Sequence, residues 1–191
     1  MTTKKKPSKK RPSSDPKKRK GLIIVNTGDG KGKSTAAYGL ALRAAGNNMK
    51  VFILQFMKGQ WKTGERKAVE ALSEWIEVKA LGDGFTWDTN NPEQDRQTAA
   101  KAWETVEPKI LSGDYNLIIL DEINYVLGYG FLDKEKVLGI LQDKSPMTHV
   151  VCTGRNAPES LIQMADMVTE MKCIKHPFKD QKIPAQKGIE F

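Results

Sequence analysis

Three glycines, two lysines and a serine stand close together in Thr27-Gly28-Asp29-Gly30-Lys31-Gly32-Lys33-Ser34. That spacing suits a polyphosphate. Gly28, Gly30 and Gly32 let the backbone curl so that successive amides point inward at phosphate oxygens. Lys33 brings a full positive charge, and the Ser34 hydroxyl can ligate Mg²⁺ (or Mn²⁺). A helix starting behind the loop would add the positive end of its dipole. The candidate ATP-binding residues are therefore Gly28, Asp29, Gly30, Lys31, Gly32, Lys33, Ser34 and Thr35. The run departs from the usual phosphate-binding loop (P-loop) in one respect. The position five before the last glycine is Thr27, and the glycine stands one place later, at Gly28.

A second group lies at Asn116-Leu117-Ile118-Ile119-Leu120-Asp121-Glu122, four apolar residues followed by two carboxylates. Acids at the tip of a buried strand beside a P-loop hold the metal of a metal–nucleotide complex, directly or through water. The pattern does not choose between Asp121 and Glu122. Lys33 and Glu122 are the candidate catalytic side chains. Arg43, Lys58 and Arg155 could neutralise a triphosphate or be solvated surface charges. His149, at a strand start, reads as structural, and His176 reads as a loop residue. Phe85 and Trp87, at i and i+2 in the glycine-flanked stretch Gly82–Asp88, face one way if extended. They either anchor the loop on the core or form a platform for a flat ligand.

The elements that must position these groups follow from periodicity. Leu22–Val25, Val51–Phe56, Leu117–Leu120 and His149–Thr153 are short apolar runs that read as buried strands. Glu74–Ala80 and Met167–Ile174 read as two further strands. Ser34–Ala45, Glu65–Leu72, Pro92–Ser112, Lys134–Gln142 and Pro158–Ala165 read as helices, the third capped by Asn91, stopped by Gly113 and kinked at Pro108. Strands alternating with helices predict a three-layer α/β/α fold of the P-loop type, with a mostly parallel sheet of about six strands. Ligands bind such sheets at the carboxyl ends of the strands. That rule places 26–34, 55–64, 121–125 and 153–156 along one rim.

Composition narrows the function. The 191 residues carry 31 basic and 23 acidic side chains, a net charge of +8. Residues 1–20 hold ten of the basic residues and one acid, so the excess sits in this tail and the remainder is near neutral. The tail lacks apolar residues after Met1 and is expected to be disordered, with residues 21–191 forming one domain. It is either a solubilising extension or an arm for a polyanion. The near-neutral body argues against a nucleic-acid partner. No apolar run approaches the roughly 20 residues of a membrane span, and no secretory signal follows the basic start. Cys152 and Cys173 form no metal-binding pattern, and two free thiols fit a reducing cytoplasm.

Taken in order, TGDGKGKSTAAYG, QFMKGQWKTGE, GDGFTWDT, IILDEINY, CTGRNAP and KHPFKDQKIPAQKGIEF resemble the landmarks of the P-loop ATP:corrinoid adenosyltransferases. The likeness covers residues 20–191, and the P-loop with its first glycine at Gly28 looks like that family's own variant. The resemblance implies that ATP and a reduced corrinoid, cob(I)alamin or a precursor, are substrates. The Co(I) centre attacks C5′ of ATP, and the whole triphosphate leaves. It further implies that Phe85 and Trp87 pack beneath the corrin and that Lys58, Arg43 and Arg155 are triphosphate or corrinoid contacts. A homodimer and a reduced flavin or flavoprotein electron donor belong to the same expectation. From the residues alone, a P-loop ATPase or kinase cleaving at the γ-phosphate remains the rival, with Glu122 aimed at a water or hydroxyl.

Overall fold

The computed structural model describes residues 19–57, 64–81 and 91–190. Lys58, Phe85 and Trp87 lie outside them. Six strands form one sheet: β1 (Ile23–Thr27), β2 (Val51–Gln55), β3 (Ile76–Ala80), β4 (Leu117–Asp121), β5 (His149–Thr153) and β6 (Met167–Glu170). The order is β3-β2-β4-β5-β1-β6, and every described pairing is parallel. The helices are α1 (Lys33–Ala45), α2 (Gly64–Glu70), α3 (Pro92–Ser112), α4 (Ile123–Gly128), α5 (Lys134–Gln142), α6 (Glu159–Met164) and α7 (Pro177–Gln181).

The apolar runs are continuous because both faces of the central strands are covered. Val25, Phe52, Leu54, Ile118, Leu120 and Cys152 pack with Trp103, Val106 and Ile110 of α3. Their neighbours Ile24, Ile53, Ile119 and Val151 face the other way, onto Ala37, Ala41 and Ala45 of α1. Each fully buried large aliphatic or aromatic side chain contributes about 1.5–3 kcal/mol. The small alanines of α1 let that helix lie close to the sheet, which fixes where its first residue, Lys33, stands.

The ends of α3 follow the sequence reading. Asn91 accepts a hydrogen bond from the Gln94 amide at 3.2 Å, and Gly113 closes the helix at φ 81°. Two departures and one further feature are informative. The last strand ends at Glu170 rather than running to Ile174, because the Met171 carbonyl turns to the P-loop and accepts from the Gly30 amide. All four β6 residues are exposed, and the strand stands at the edge of the sheet. His176 is not a loop residue but the cap of α7, with Nδ1 accepting from the Phe178 and Lys179 amides.

Candidate nucleotide-binding site

The P-loop joins β1 to α1. Gly28 and Gly32 adopt φ values of 92° and 106°, a region that side chains resist. Gly28 and Gly30 are also required by proximity. A Cβ on either would lie 2.5 Å and 2.7 Å, respectively, from the Met171 carbonyl oxygen. The strand end that crowds the loop also uses one of its donors, since the Gly30 amide is bonded to Met171 at 2.6 Å. The expectation that successive amides all point at phosphate is corrected at this one position.

Lys33 folds back over the loop, and its Nζ donates to the carbonyls of Gly28 (2.7 Å) and Gly30 (2.6 Å). Burial, and then the nearby Arg155 guanidinium, hold its pKa below the usual lysine value, against the pull of Glu122 and Asp29. Arg155 itself pairs with Asp29 at 3.6 Å.

Asp29, Gly30, Lys31, Gly32, Lys33, Ser34 and Thr35 line a cavity of about 230 Å³. Glu122 and Arg155 complete the part that sequence reasoning anticipated. Gly28 instead lies on an adjoining concavity with Thr27, Asn156 and Ala157. Four further cavity residues were not singled out from sequence: Glu65 of α2, Tyr125 of α4, and Ile189 and Glu190 near the chain's end. Glu190 reaches Lys31 at 2.5 Å. The last two lie in the C-terminal landmark, which marked them as part of a pattern without giving a reason. The Tyr125 phenol is pushed up in pKa by burial and by the Glu122 carboxylate.

The two carboxylates at the tip of β4 separate. Asp121 is fully buried and faces inward, accepting from Thr153 Oγ1 at 2.8 Å and from Gln55 Nε2 at 3.3 Å. Glu122 turns outward at φ 68°, as the residue before α4, and it lines the cavity. Asp121 is thus placed as an interior partner, and Glu122 is the carboxylate that reaches the cavity. Arg43 lies apart from this cavity. It sits ten residues beyond Lys33 on α1, about 15 Å along the helix, and borders an apolar cleft with Leu22, Leu40 and His149 at the other end of the sheet. This chain does not bring it to the P-loop.

Among the described residues no group of three or more His, Cys, Asp or Glu side chains could hold a metal. The cavity is lined by the hydroxyls of Ser34, Thr35 and Tyr125 and by the carboxylates of Asp29, Glu65, Glu122 and Glu190, of which Asp29 pairs with Arg155 and Glu190 with Lys31. Ser34 and Glu122 within this oxygen-rich lining fit Mg²⁺, a hard cation that usually keeps several waters and takes one or two protein oxygens together with substrate phosphates.

A six-stranded parallel sheet with a P-loop ahead of its first helix and a carboxylate at the tip of a nearby strand defines a P-loop α/β nucleotide-binding enzyme. The sequence comparisons are more specific. Residues 19–191 match the model of the family "ATP:corrinoid adenosyltransferase BtuR/CobO/CobP", and the chain belongs to that family of transferases. It is 48% identical over 174 residues to a corrinoid adenosyltransferase of Sinorhizobium sp., covering 90% of this chain and 81% of that one. A corrinoid adenosyltransferase of Pseudomonas aeruginosa is 42% identical over 172 residues, covering 90% and 84%. One from Escherichia coli K12 is 38% identical over 172 residues, covering 90% and 86%. Among solved structures, the flagellar accessory protein FlaH of Methanocaldococcus jannaschii shares the fold, with a TM-score of 0.54 at 16% identity over 78% of this chain and 70% of that one.

Proposed function

We propose that this enzyme transfers the 5′-adenosyl group of ATP to the Co(I) centre of a corrinoid, releasing inorganic triphosphate. The observation that carries the site assignment is the convergence of Lys33, Ser34 and Glu122 on one polar cavity in a member of this family. In the reaction the cobalt electron pair forms the Co–C5′ bond. The C5′–O bond breaks, and its electron pair leaves on the triphosphate. Negative charge therefore grows on the leaving group. The loop amides and Lys33 are placed to stabilise that charge by preorganised electrostatics.

Mg²⁺, held by Ser34 and Glu122, would neutralise further charge on the phosphate oxygens when bound. Lys33 must release the Gly28 and Gly30 carbonyls to meet the triphosphate, so its present bonds keep a half-buried ammonium satisfied until substrate arrives. Arg155, paired with Asp29 on the cavity wall, is the second cationic contact. Co(I) has no proton to lose, so the site needs no general base.

The roles of Phe85, Trp87 and Lys58 toward the corrinoid rest on the family resemblance, as do the homodimer and the reduced-flavin donor. The two free thiols and the absence, among the described residues, of a helix long and apolar enough to cross a membrane are consistent with a cytoplasmic enzyme. Anaerobic incubation with ATP, Mg²⁺ and chemically reduced cobalamin tests the activity. The visible spectrum should change to that of an alkylated corrinoid, and an unchanged Co(I) spectrum would refute the assignment. Phe85→Ala and Trp87→Ala should slow turnover when Co(II) must first be reduced, and much less when Co(I) is supplied. Equal losses in the two regimes would count against a corrin-facing role.

A further inference from the structure

The strand that carries Glu122 is not paired with the P-loop strand, because β5 runs between them. Register places Thr153, the last residue of β5, beside Asn26 of β1 on one side and next to the β4 terminus on the other. Its side chain is fully buried and makes two contacts toward β4. The hydroxyl donates to Asp121 Oδ1 at 2.8 Å and accepts the Glu122 main-chain N–H at 2.9 Å. Behind it, Asp121 Oδ2 takes the Gln55 amide, and Gln55 is itself 2% exposed. A buried polar chain thus runs Gln55, Asp121, Thr153 and ends on the peptide of Glu122.

That peptide needs holding. Glu122 has φ 68°, a left-handed conformation that a residue with a Cβ adopts only when its surroundings impose it. The turn is what sends the Glu122 carboxylate outward to the cavity while Asp121 points in. A methyl group in place of the hydroxyl would leave the Asp121 oxygen and the Glu122 amide without this partner in a fully buried place.

We propose that Thr153 is a positioning residue for the reaction: its hydroxyl ties Asp121 to the main chain of Glu122 and so sets where the Glu122 carboxylate stands against the metal–nucleotide complex. Asp121 acts through the same link. The inference rests on the reading of Glu122 as the metal-holding carboxylate. Outer partners that orient a ligating group typically alter metal affinity by about 10- to 100-fold when removed.

The test uses the full chain and reads binding rather than turnover. ATP affinity is measured by calorimetry across a Mg²⁺ series and in EDTA, with the melting temperature as a fold control. Thr153→Val should raise the Mg²⁺ concentration for half-maximal enhancement about tenfold, while affinity in EDTA stays near that of the parent. Thr153→Ser, which keeps the hydroxyl, should behave like the parent. Glu122→Gln should raise the Mg²⁺ requirement at least as far, and Thr153→Val added to it should change little more, since both act through one carboxylate. If Thr153→Val lowers the melting temperature too far for binding to be read, Thr153→Cys takes its place. Its weakly bonding thiol should give a smaller shift in the same direction.

An unchanged Mg²⁺ requirement in Thr153→Val, or a full additional shift on the Glu122→Gln background, would overturn the positioning role while leaving the Glu122 reading intact. An unchanged requirement in Glu122→Gln would sink that reading and this inference with it.

Discussion

At the carboxyl edge of the sheet, Lys33, Ser34, Glu122 and Arg155 converge on a polar cavity. At the amino edge, Leu22, Ile24, Leu40, Met49 and Met167 line an apolar cleft that Arg43 and His149 border. Both edges are made by the same strands and the same helix α1. The contrast lies in how polar groups are held. At the carboxyl edge the P-loop backbone, the buried Asp121 and the Thr153 hydroxyl orient groups that face solvent. At the amino edge the polar contacts close the structure on itself. His149 Nδ1 accepts the Leu22 amide at 3.1 Å, and Asp166 accepts the Ile23 amide at 3.0 Å. A charge at a strand's amino end is therefore read as stitching, and one at its carboxyl end as chemistry.

The sharpest way to break this contrast is to remove the ammonium at the carboxyl edge. Lys33→Ala should lower kcat/KM for ATP by roughly 100-fold or more, the scale of losing one preorganised charge-stabilising donor. The melting temperature should change little, because the lysine bonds only to loop carbonyls. A variant within a few-fold of the parent would mean that the cavity does not hold the triphosphate. Glu122→Gln, measured as steady-state rate against Mg²⁺, should lose at least about tenfold at limiting metal and recover in part at high metal. A uniform loss at every concentration would point to another role.

The amino edge should respond to pH in stability instead of activity. Burial, and then Lys144, hold the His149 pKa below its ordinary value of 6.5. The unfolded chain then takes up this proton before the folded one. Stability should fall as pH drops below about 6.5, until the folded-state pKa is passed. Protonation would also destroy the acceptor for the Leu22 amide. Denaturant unfolding of the parent and of His149→Gln across pH 5 to 7 checks this, and the variant should show a flatter profile. Identical slopes would remove His149 from the account.

The smallest expected effect is at the chain's end. Glu190 occupies Lys31, a residue on the wall of the nucleotide cavity. Glu190→Gln should tighten ATP binding by no more than about fivefold, since partly exposed ion pairs are worth about 0–1 kcal/mol. Weaker binding would mean that Glu190 assists the nucleotide rather than competing with it.

Much of the architecture was legible because local signals agreed. Asn91, Pro92 and Gly113 bracket α3, and continuous apolar runs mark strands covered on both faces. The P-loop was legible for the same reason, a motif placed between a strand and a helix. What escaped depended on longer-range partners. The run from Met167 to Ile174 gave no sign that the Met171 carbonyl would turn to the Gly30 amide. Helix α4 escaped because it starts from a left-handed Glu122, a conformation that propensity does not anticipate. Two adjacent carboxylates look alike in sequence, and only the Thr153 and Gln55 bonds sort the inward Asp121 from the outward Glu122. Arg43 is different, because its distance from Lys33 along one helix already placed it far from the loop. Phe85, Trp87 and Lys58 lie outside the described residues, and their roles rest on the family resemblance.

The cavity is proposed to hold a triphosphate that departs whole. Phosphorus NMR of a single anaerobic turnover with ATP, Mg²⁺ and cob(I)alamin tests it most directly. Inorganic triphosphate should form in a one-to-one ratio with alkylated corrinoid, and neither product should form with Lys33→Ala. ADP with orthophosphate as the stoichiometric products would contradict it.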